Sequence, residues 1–512
     1  MFASNSNVLQ AYLNARKKLI FWGMVMAITY LAFVLVFPLV PYIYRDGKML
    51  DLELILREGV RELVWVYVLG LGLLFFAFWR MMRTLHQFSK EFPETGRKLR
   101  KLILGIGILC GLILLGLYPI TALDVAVYVV NARNWVLYGG NPLIVPPQAF
   151  PFDPYIRFAG EYIDKTSPYG PLWEVLARIP VQLGITGIAE GIVAMKAISL
   201  LAFAGMAILI GWYANQQNKG FAINEVTALA FFVLNPLVLL EAVGNGHNDM
   251  TMAAFVTLGL VLWQRGKWAW AAFALTLASL VKLPALIIIP LYGLSILMDA
   301  PTWKVRLLRG LGIGVITLGI FLVSYRLMGP FPDVFSGIVQ SFGRRSFSPA
   351  YATYVIVREI SPALSRLVLP NTRYVFLLGY VLIVIAFLRR KLTFIEAGFL
   401  AYFAMIYLSN AFRLWYPLWF IPFAALNLNS RTFWRTFLFS LTVEFSILSY
   451  YVLWRWVLRY WEWGLNGPLA AYWDYYKIMT PFTVLWEFSI PFLGDLVGWF
   501  RNKKKFLDEL WI

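Results

Sequence analysis

The chain has 512 residues, 60% hydrophobic and 14% charged, and apolar runs long enough to span a bilayer recur along it, so it reads as a polytopic membrane protein and not a soluble domain. Its 45 Lys and Arg against 27 Asp and Glu give a net charge of +18; the basic residues fall in short clusters between apolar segments, which points to anionic lipid headgroups and away from nucleic acid. A lone Cys110 and two histidines leave no basis for a disulfide framework or a cysteine- or histidine-rich metal centre.

From the N-terminus, RKK at Arg16 to Lys18 precedes an apolar run from Leu19 to about Ile43. That run is too long for the core of a signal peptide and lacks a small-residue cleavage site, so it reads as a first membrane helix. A second crossing is expected over 63–79. The next connection carries Arg80, Arg83, Lys90, Arg97, Lys98, Arg100 and Lys101 against only Glu91 and Glu94, which makes it cytoplasmic. The same bias places Arg265 and Lys267, Lys304 to Arg309, Arg389 to Lys391, Arg431 and Arg435, and Arg501 to Lys505 inside, and both termini with them.

Further apolar segments lie at 102–120, 170–186, 188–214, 226–246, 247–263, 268–283, 284–299, 307–327, 374–389, 394–411, 413–429, 433–455 and 480–500. The total is odd, which cannot connect two cytoplasmic ends. Either 170–186, interrupted by Glu174, Arg178 and Pro180, or 226–246, broken at Asn235 and Pro236, is therefore re-entrant or interfacial. The expectation is an all-α polytopic membrane fold of about 14 transmembrane helices. It forms a single integral membrane domain over 1–512, with ordered outer loops at 121–169 and 329–373.

The polar residues that resist a purely structural account collect on the outer side. In the first outer loop Asp124 follows a membrane helix by a few residues. Tyr128 and Asn131 share a face with it if the segment is helical, and Arg133 lies two residues on. GGNP and VPP break that helix, and SPYGP, with Tyr169, begins the next descent. The alternative is an amphipathic interfacial helix in which Asp124 is only an N-terminal charge.

NGHND, Asn245 to Asp249, opens the segment 247–263, and the returning segment 268–283 brings Lys282 of VKLP to the same outer face. Each is about 25 Å long against a hydrocarbon core of roughly 30 Å, which sinks His247, Asn248, Asp249 and Lys282 into a recess. Ionisable residues at that depth are functional candidates by default. A helix cap explains one residue of NGHND but not four, and snorkelling is the rival account of Lys282.

The second outer loop holds Arg344 and Arg345 with Arg358, Arg366 and Arg373, and Arg413 stands beside Trp415 and Tyr416 in SNAFRLWYPLWF. An aromatic belt explains the rings. Outer arginines run against the charge bias, and their planar fork suits a phosphate.

Together these residues resemble the GT-C superfamily of integral membrane glycosyltransferases, and within it the bacterial polyprenyl-phosphate-mannose-dependent α-mannosyltransferases. The features that carry the resemblance are Asp124 with Tyr128, the GGNP turn, SPYGP, the NP and GHND segment, the RGK loop, and VKLP about 33 residues after NGHND, in order across roughly 170 residues. The resemblance implies an outward-facing, metal-independent site with no cofactor. There a polyprenyl-phosphate sugar donor gives a hexose, mannose by preference, to a glycan or glycolipid acceptor, with inversion.

Asp124 matches the family's acidic residue in the first outer loop and is implied as general base. Many relatives carry two adjacent acids there; this chain has Asp124 and then only the distant Asp153. Tyr128, Arg133, Tyr169, His247, Asn248, Asp249, Lys282, Arg344, Arg345, Arg413, Trp415 and Tyr416 are the expected substrate contacts. Lys282, Arg413 and Arg344 or Arg345 are the cations available to the leaving phosphate. Two alternatives stay open: a GT-C enzyme using another sugar, and a transporter or lipid flippase. The latter predicts midplane charges and pseudo-symmetric repeats, neither of which is evident.

Overall fold

Buried in lipid, a backbone must satisfy its own polar groups, and an apolar chain does so as helix. The computed structural model describes residues 2–47, 49, 62–92, 96–121, 123–216, 225–343, 345–449 and 468–493, and among them every regular element is helical. The chain divides into two compact units, Met1–Gly343 and Arg344–Ile512.

The first unit begins with α1 (Phe2–Val36) and α2 (Leu39–Asp46), separated at Pro38, whose ring nitrogen cannot continue the ladder. The helices α3 (Leu63–Glu91) and α4 (Arg100–Leu114) pack along α1. The chain leaving α4 is laced to the end of α1: Leu39 N donates to Gly116 O at 2.9 Å and Tyr118 N to Phe37 O at 2.8 Å. There follow α5 (Asp124–Tyr138), α6 (Pro171–Gln182), α7 (Ile188–Gln216) and α8 (Glu225–Val233). Every residue of α8 is buried, as an apolar helix without a polar face requires.

At Asn235-Pro236 the chain bends by 54° into a π-helical turn, Val238–Gly244. The missing Pro236 donor and the Asn235 side chain, which accepts from Leu237 N at 3.0 Å, end one helix and start the next. Next come α9 (Asp249–Gln264), α10 (Trp268–Val281), α11 (Ile288–Met298), α12 (Trp303–Met328) and the short α13 (Ser336–Ser341). The second unit holds α14 (Pro349–Ile360), α15 (Pro362–Leu388), α16 (Phe394–Leu408), α17 (Ile421–Leu426), α18 (Ser430–Phe445) and α19 (Pro468–Ser489).

The described residues contain five helices long and apolar enough to cross a membrane, or six if α8 and the π-helical turn form one bent span. Four shorter apolar helices accompany them: Asp249–Gln264, Trp268–Val281, Leu283–Met298 and Phe394–Leu408. A count of about 14 is not confirmed among the described residues, outside which the ends of the expected segments 433–455 and 480–500 lie, and the sequence explains several of the differences. Pro417 and Pro422 divide the expected segment 413–429 into a 3-10 turn, Tyr416–Trp419, and the six-residue α17. The expected loop 329–373 is mostly helical, since α15 begins at Pro362 behind a Ser361 cap and absorbs both the loop's end and the segment 374–389. At 12 residues, or about 18 Å, α6 is shorter than a hydrocarbon core.

Candidate active site

The segment from Asp124 is a helix, the condition under which Asp124, Tyr128 and Asn131 share a face, but it is not an amphipathic surface helix. Val125, Ala126, Val127, Val129 and Val130 clothe the whole circumference, and its first eleven residues are buried. α5 packs against α6 and α7, which sets the Asp124 carboxylate, 6% exposed, inside the first unit. Gly139, in the left-handed region at φ 76°, ends the helix. Asn141 of GGNP then turns the chain by accepting from Leu143 N at 3.1 Å, and its amide nitrogen donates to Met328 O at the end of α12.

SPYGP returns the chain to Asp124. Gly170 N donates to Val281 O at 3.0 Å, and a Cβ at Gly170 would lie 2.0 Å from Leu280 O, so only glycine lets this loop lie backbone to backbone on the end of α10. That contact places Tyr169 between two groups. Its hydroxyl donates to Asp124 Oδ2 at 3.2 Å, and Lys282 Nζ lies over its ring, 5.6 Å from the centroid. Burial and the neighbouring Asp124 charge hold the Tyr169 phenol well above its ordinary range, so it stays protonated and donates.

Tyr128 approaches the Tyr169 hydroxyl at 3.5 Å and sets its ring edge-on to Tyr169 and Trp173 at 5.1 and 4.8 Å. Beneath Tyr169, Ser167 Oγ donates to Glu174 Oε1 at 2.5 Å and accepts from Tyr169 N at 3.2 Å. Burial pushes the Glu174 carboxyl up to about 7 despite the Ser167 hydroxyl.

NGHND and VKLP meet as their short helices predict. Lys282 Nζ bonds both oxygens of Asp249, at 2.9 and 2.8 Å; the Lys282 side chain is 15% exposed and that of Asp249 is fully buried. His247 Nε2 lies 3.3 Å from Glu241 Oε2, and Asn248 is fully buried. Asp124, Tyr128, Tyr169, Asp249 and Lys282 therefore form one connected group.

Arg133 has a different setting. Its guanidinium bonds Asp153 Oδ2 from Nη2 at 2.8 Å and from Nε at 3.2 Å, donates to Thr186 O, and lies over the Tyr155 ring at 4.7 Å. Asp153 also accepts from Tyr138 Oη at 3.0 Å and Tyr155 N at 2.8 Å. Through these partners Arg133 clasps the loop 139–170 to α5. Among the described residues no three His, Cys, Asp or Glu side chains gather into a metal-binding group.

The remaining expected residues belong to the second unit. Arg344 lies outside the described residues. Arg345 is exposed and lies 5.6 Å from the Tyr354 ring centroid. Arg413 is half-buried and its carbonyl accepts from Tyr416 N at 3.0 Å; Trp415 is buried, and Tyr416 stacks on Trp419 at 4.2 Å.

Glu241 and Lys196 are absent from the sequence-derived set although both are fully buried beside it. The signal is visible in the sequence: each is a single ionisable residue within an apolar run, LVLLEAVG and IVAMKAISLL. Counting charges between segments passes over charges inside them.

Three relatives share stretches of the sequence. The chain is 30% identical to alpha-(1->6)-mannopyranosyltransferase A of Mycobacterium tuberculosis over 125 residues, 24% of this chain and 23% of the relative. It is 26% identical to the A enzyme of Corynebacterium glutamicum over 151 residues (27% and 30%), and 27% identical to the B enzyme of that organism over 184 residues (33% and 29%). Each match thus spans less than a third of the relative. The model of the alpha-(1->6)-mannopyranosyltransferase N-terminal domain matches residues 24–298. That range exceeds half of the chain and contains Asp124, Tyr169, NGHND and Lys282. By the extent of that match the chain belongs to the alpha-(1->6)-mannopyranosyltransferase family.

Proposed function

We propose that the protein is a membrane glycosyltransferase that moves mannose from a polyprenyl-phosphate donor to a glycan or glycolipid acceptor on the extracytoplasmic face, with both termini cytoplasmic. The observation that carries this reading is the convergence on Tyr169 of a buried carboxylate, Asp124, and a partly buried ammonium, Lys282. A glycosyl transfer from a phosphate needs both: a base for the attacking hydroxyl and a cation for the departing phosphate.

In the proposed step the acceptor oxygen attacks C1 of the sugar while Asp124 takes its proton. The bond from C1 to the phosphate oxygen breaks with its electron pair on the phosphate, next to Lys282. One displacement inverts, so a β-linked donor yields an α-glycoside. Tyr169 holds Asp124 by its hydroxyl, and Asp249 holds Lys282. The resemblance implies no metal in the step. With α6 too short to cross, we read it as interfacial and the bent segment 225–244 as the crossing.

The decisive experiment gives the purified chain in vesicles labelled polyprenyl-phosphate-mannose and an α-mannoside. Transfer is expected, and Asp124→Asn should lower kcat about 10²- to 10⁴-fold while the protein stays folded. Undiminished transfer by the variant would remove Asp124 as base; no transfer by the parent with any polyprenyl-phosphate sugar would remove the donor class. Single alanine variants of His247, Asn248, Arg345, Arg413, Trp415 and Tyr416 test their expected substrate contacts in the same assay.

A further inference from the structure

Between Leu114, where α4 ends, and Asp124 the described residues form no regular element, yet they must hold a carboxylate to within a fraction of an ångström for proton transfer. Its polar backbone is satisfied from α7 and from the segment around the π-helical turn. Lys196 of α7 donates to Leu117 O and, at 3.4 Å, to Leu114 O, placing a cation at the negative end of α4. Asn245 Oδ1 accepts from Ile120 N at 2.8 Å and Thr121 N at 3.4 Å.

A further attachment is to Glu241. Thr121 Oγ1, three residues before Asp124, lies 2.9 and 3.0 Å from its two carboxylate oxygens, and Asn245 Nδ2 donates to Oε1 at 3.0 Å. The other side of the same carboxylate faces His247, and the Glu241 carbonyl accepts from His247 N at 3.3 Å, two residues before Asp249. Gly246, at φ 76°, makes the turn, and a Cβ there would meet Val125 at 2.9 Å and Lys196 at 3.2 Å. Nothing in the proposed displacement uses Glu241, yet it touches both the strand of chain entering Asp124 and the loop entering the Asp249 and Lys282 pair. π-helical turns recur at functional sites because one extra residue re-aims the side chains.

We infer that Glu241 is the positioning residue of the transfer reaction, fixing the spacing between the Asp124 turn and the Asp249–Lys282 pair through Thr121 and the NGHND loop. This rests on the reading of Asp124 as base. Glu241→Leu removes the acceptor oxygens at similar volume, and kcat per folded molecule is expected to fall about 10- to 100-fold with donor KM within about twofold, as for a misplaced catalytic group. Glu241→Gln keeps one carbonyl acceptor for Thr121 and should restore kcat to within about fivefold. Thr121→Val removes only the hydroxyl, should lower kcat several-fold, and should add little in the Glu241→Leu background because both break one link.

If Glu241→Leu does not fold, Thr121→Val alone decides: several-fold loss supports the assignment and wild-type kcat overturns it. Unchanged kcat per folded molecule in Glu241→Leu also overturns it. A fall in Glu241→Gln as deep as that in Asp124→Asn would give Glu241 a proton-transfer role and overturn positioning. Should Asp124→Asn retain full transfer, the base assignment fails first, which separates the two conclusions.

Discussion

Arg133–Asp153 and Lys282–Asp249 are ion pairs of the first unit with the same closest distance, and they differ in their surroundings. Arg133 and Asp153 are closed: the guanidinium is taken up by the carboxylate, the Thr186 carbonyl and the Tyr155 ring, and the carboxylate by Tyr138 and Tyr155 N as well. Lys282 and Asp249 are less enclosed, with Lys282 three times as exposed as Arg133, 15% against 5%, and set against the face of Tyr169. A pair whose hydrogen bonds are all made inside the protein serves the fold. Lys282 keeps 15% of its side chain accessible at the end of a chain of contacts that runs through Tyr169 to Asp124. Distance alone, 2.8 Å in both, therefore does not tell the two pairs apart; the exposure of each cation and the residues set around it do.

The largest expected effect breaks the closed pair. Asp153→Ala strands the Arg133 charge and should cost about 3–5 kcal/mol of stability, read as lost folded protein in a detergent thermal-shift assay, while turnover per folded molecule stays near the parent's. Lys282→Gln should do the opposite, lowering kcat about 10²-fold or more with a much smaller change in melting temperature. If its turnover is intact and its fold is lost, the two pairs are alike and the contrast falls. Tyr169→Phe keeps the ring under Lys282 and deletes the hydrogen bond to Asp124; about a tenfold loss of kcat is expected, and an unchanged rate would detach Tyr169 from the chemistry.

The smallest effect sharpens the comparison at Glu174, a buried carboxyl beneath Tyr169. Its folded value of about 7 lies above the ordinary 4.5, so the folded state holds the proton more tightly than the unfolded one. The stability from this group is full below about pH 4.5 and is lost as pH rises through about 7. The parent's melting temperature should therefore decline over that window more steeply than that of Glu174→Gln, and parallel curves would show that Glu174 does not titrate there.

Much of the site was legible because its signals are local. Asp249 and Lys282, 33 positions apart, are joined by two short helices and a basic turn, so charge bias and helix rise alone bring the two ends together, and they pair at 2.8 Å. Gly170 and Tyr169 were visible as a helix-breaking motif opening a new segment. What was not legible depends on partners far away in sequence. Arg133 reads as an outer cation until Asp153 and Thr186 are placed around it, and Glu241 reads as part of an apolar run until Thr121, 120 residues earlier, is seen on its carboxylate. Segment boundaries failed where proline acts late or early: Pro417 and Pro422 break an expected crossing, while Pro362, at the first turn of α15, starts a helix where a loop was expected.

The backbone contact at Gly170 has a consequence for what can change around it. Tyr169 and Lys282 are gauged against each other by main chain, Gly170 N on Val281 O, and not by the reach of side chains. Side chains around the two residues can be exchanged without altering that gauge, so the spacing between the Tyr169 ring and Lys282 is a property of the main chain and tolerates change in its surroundings.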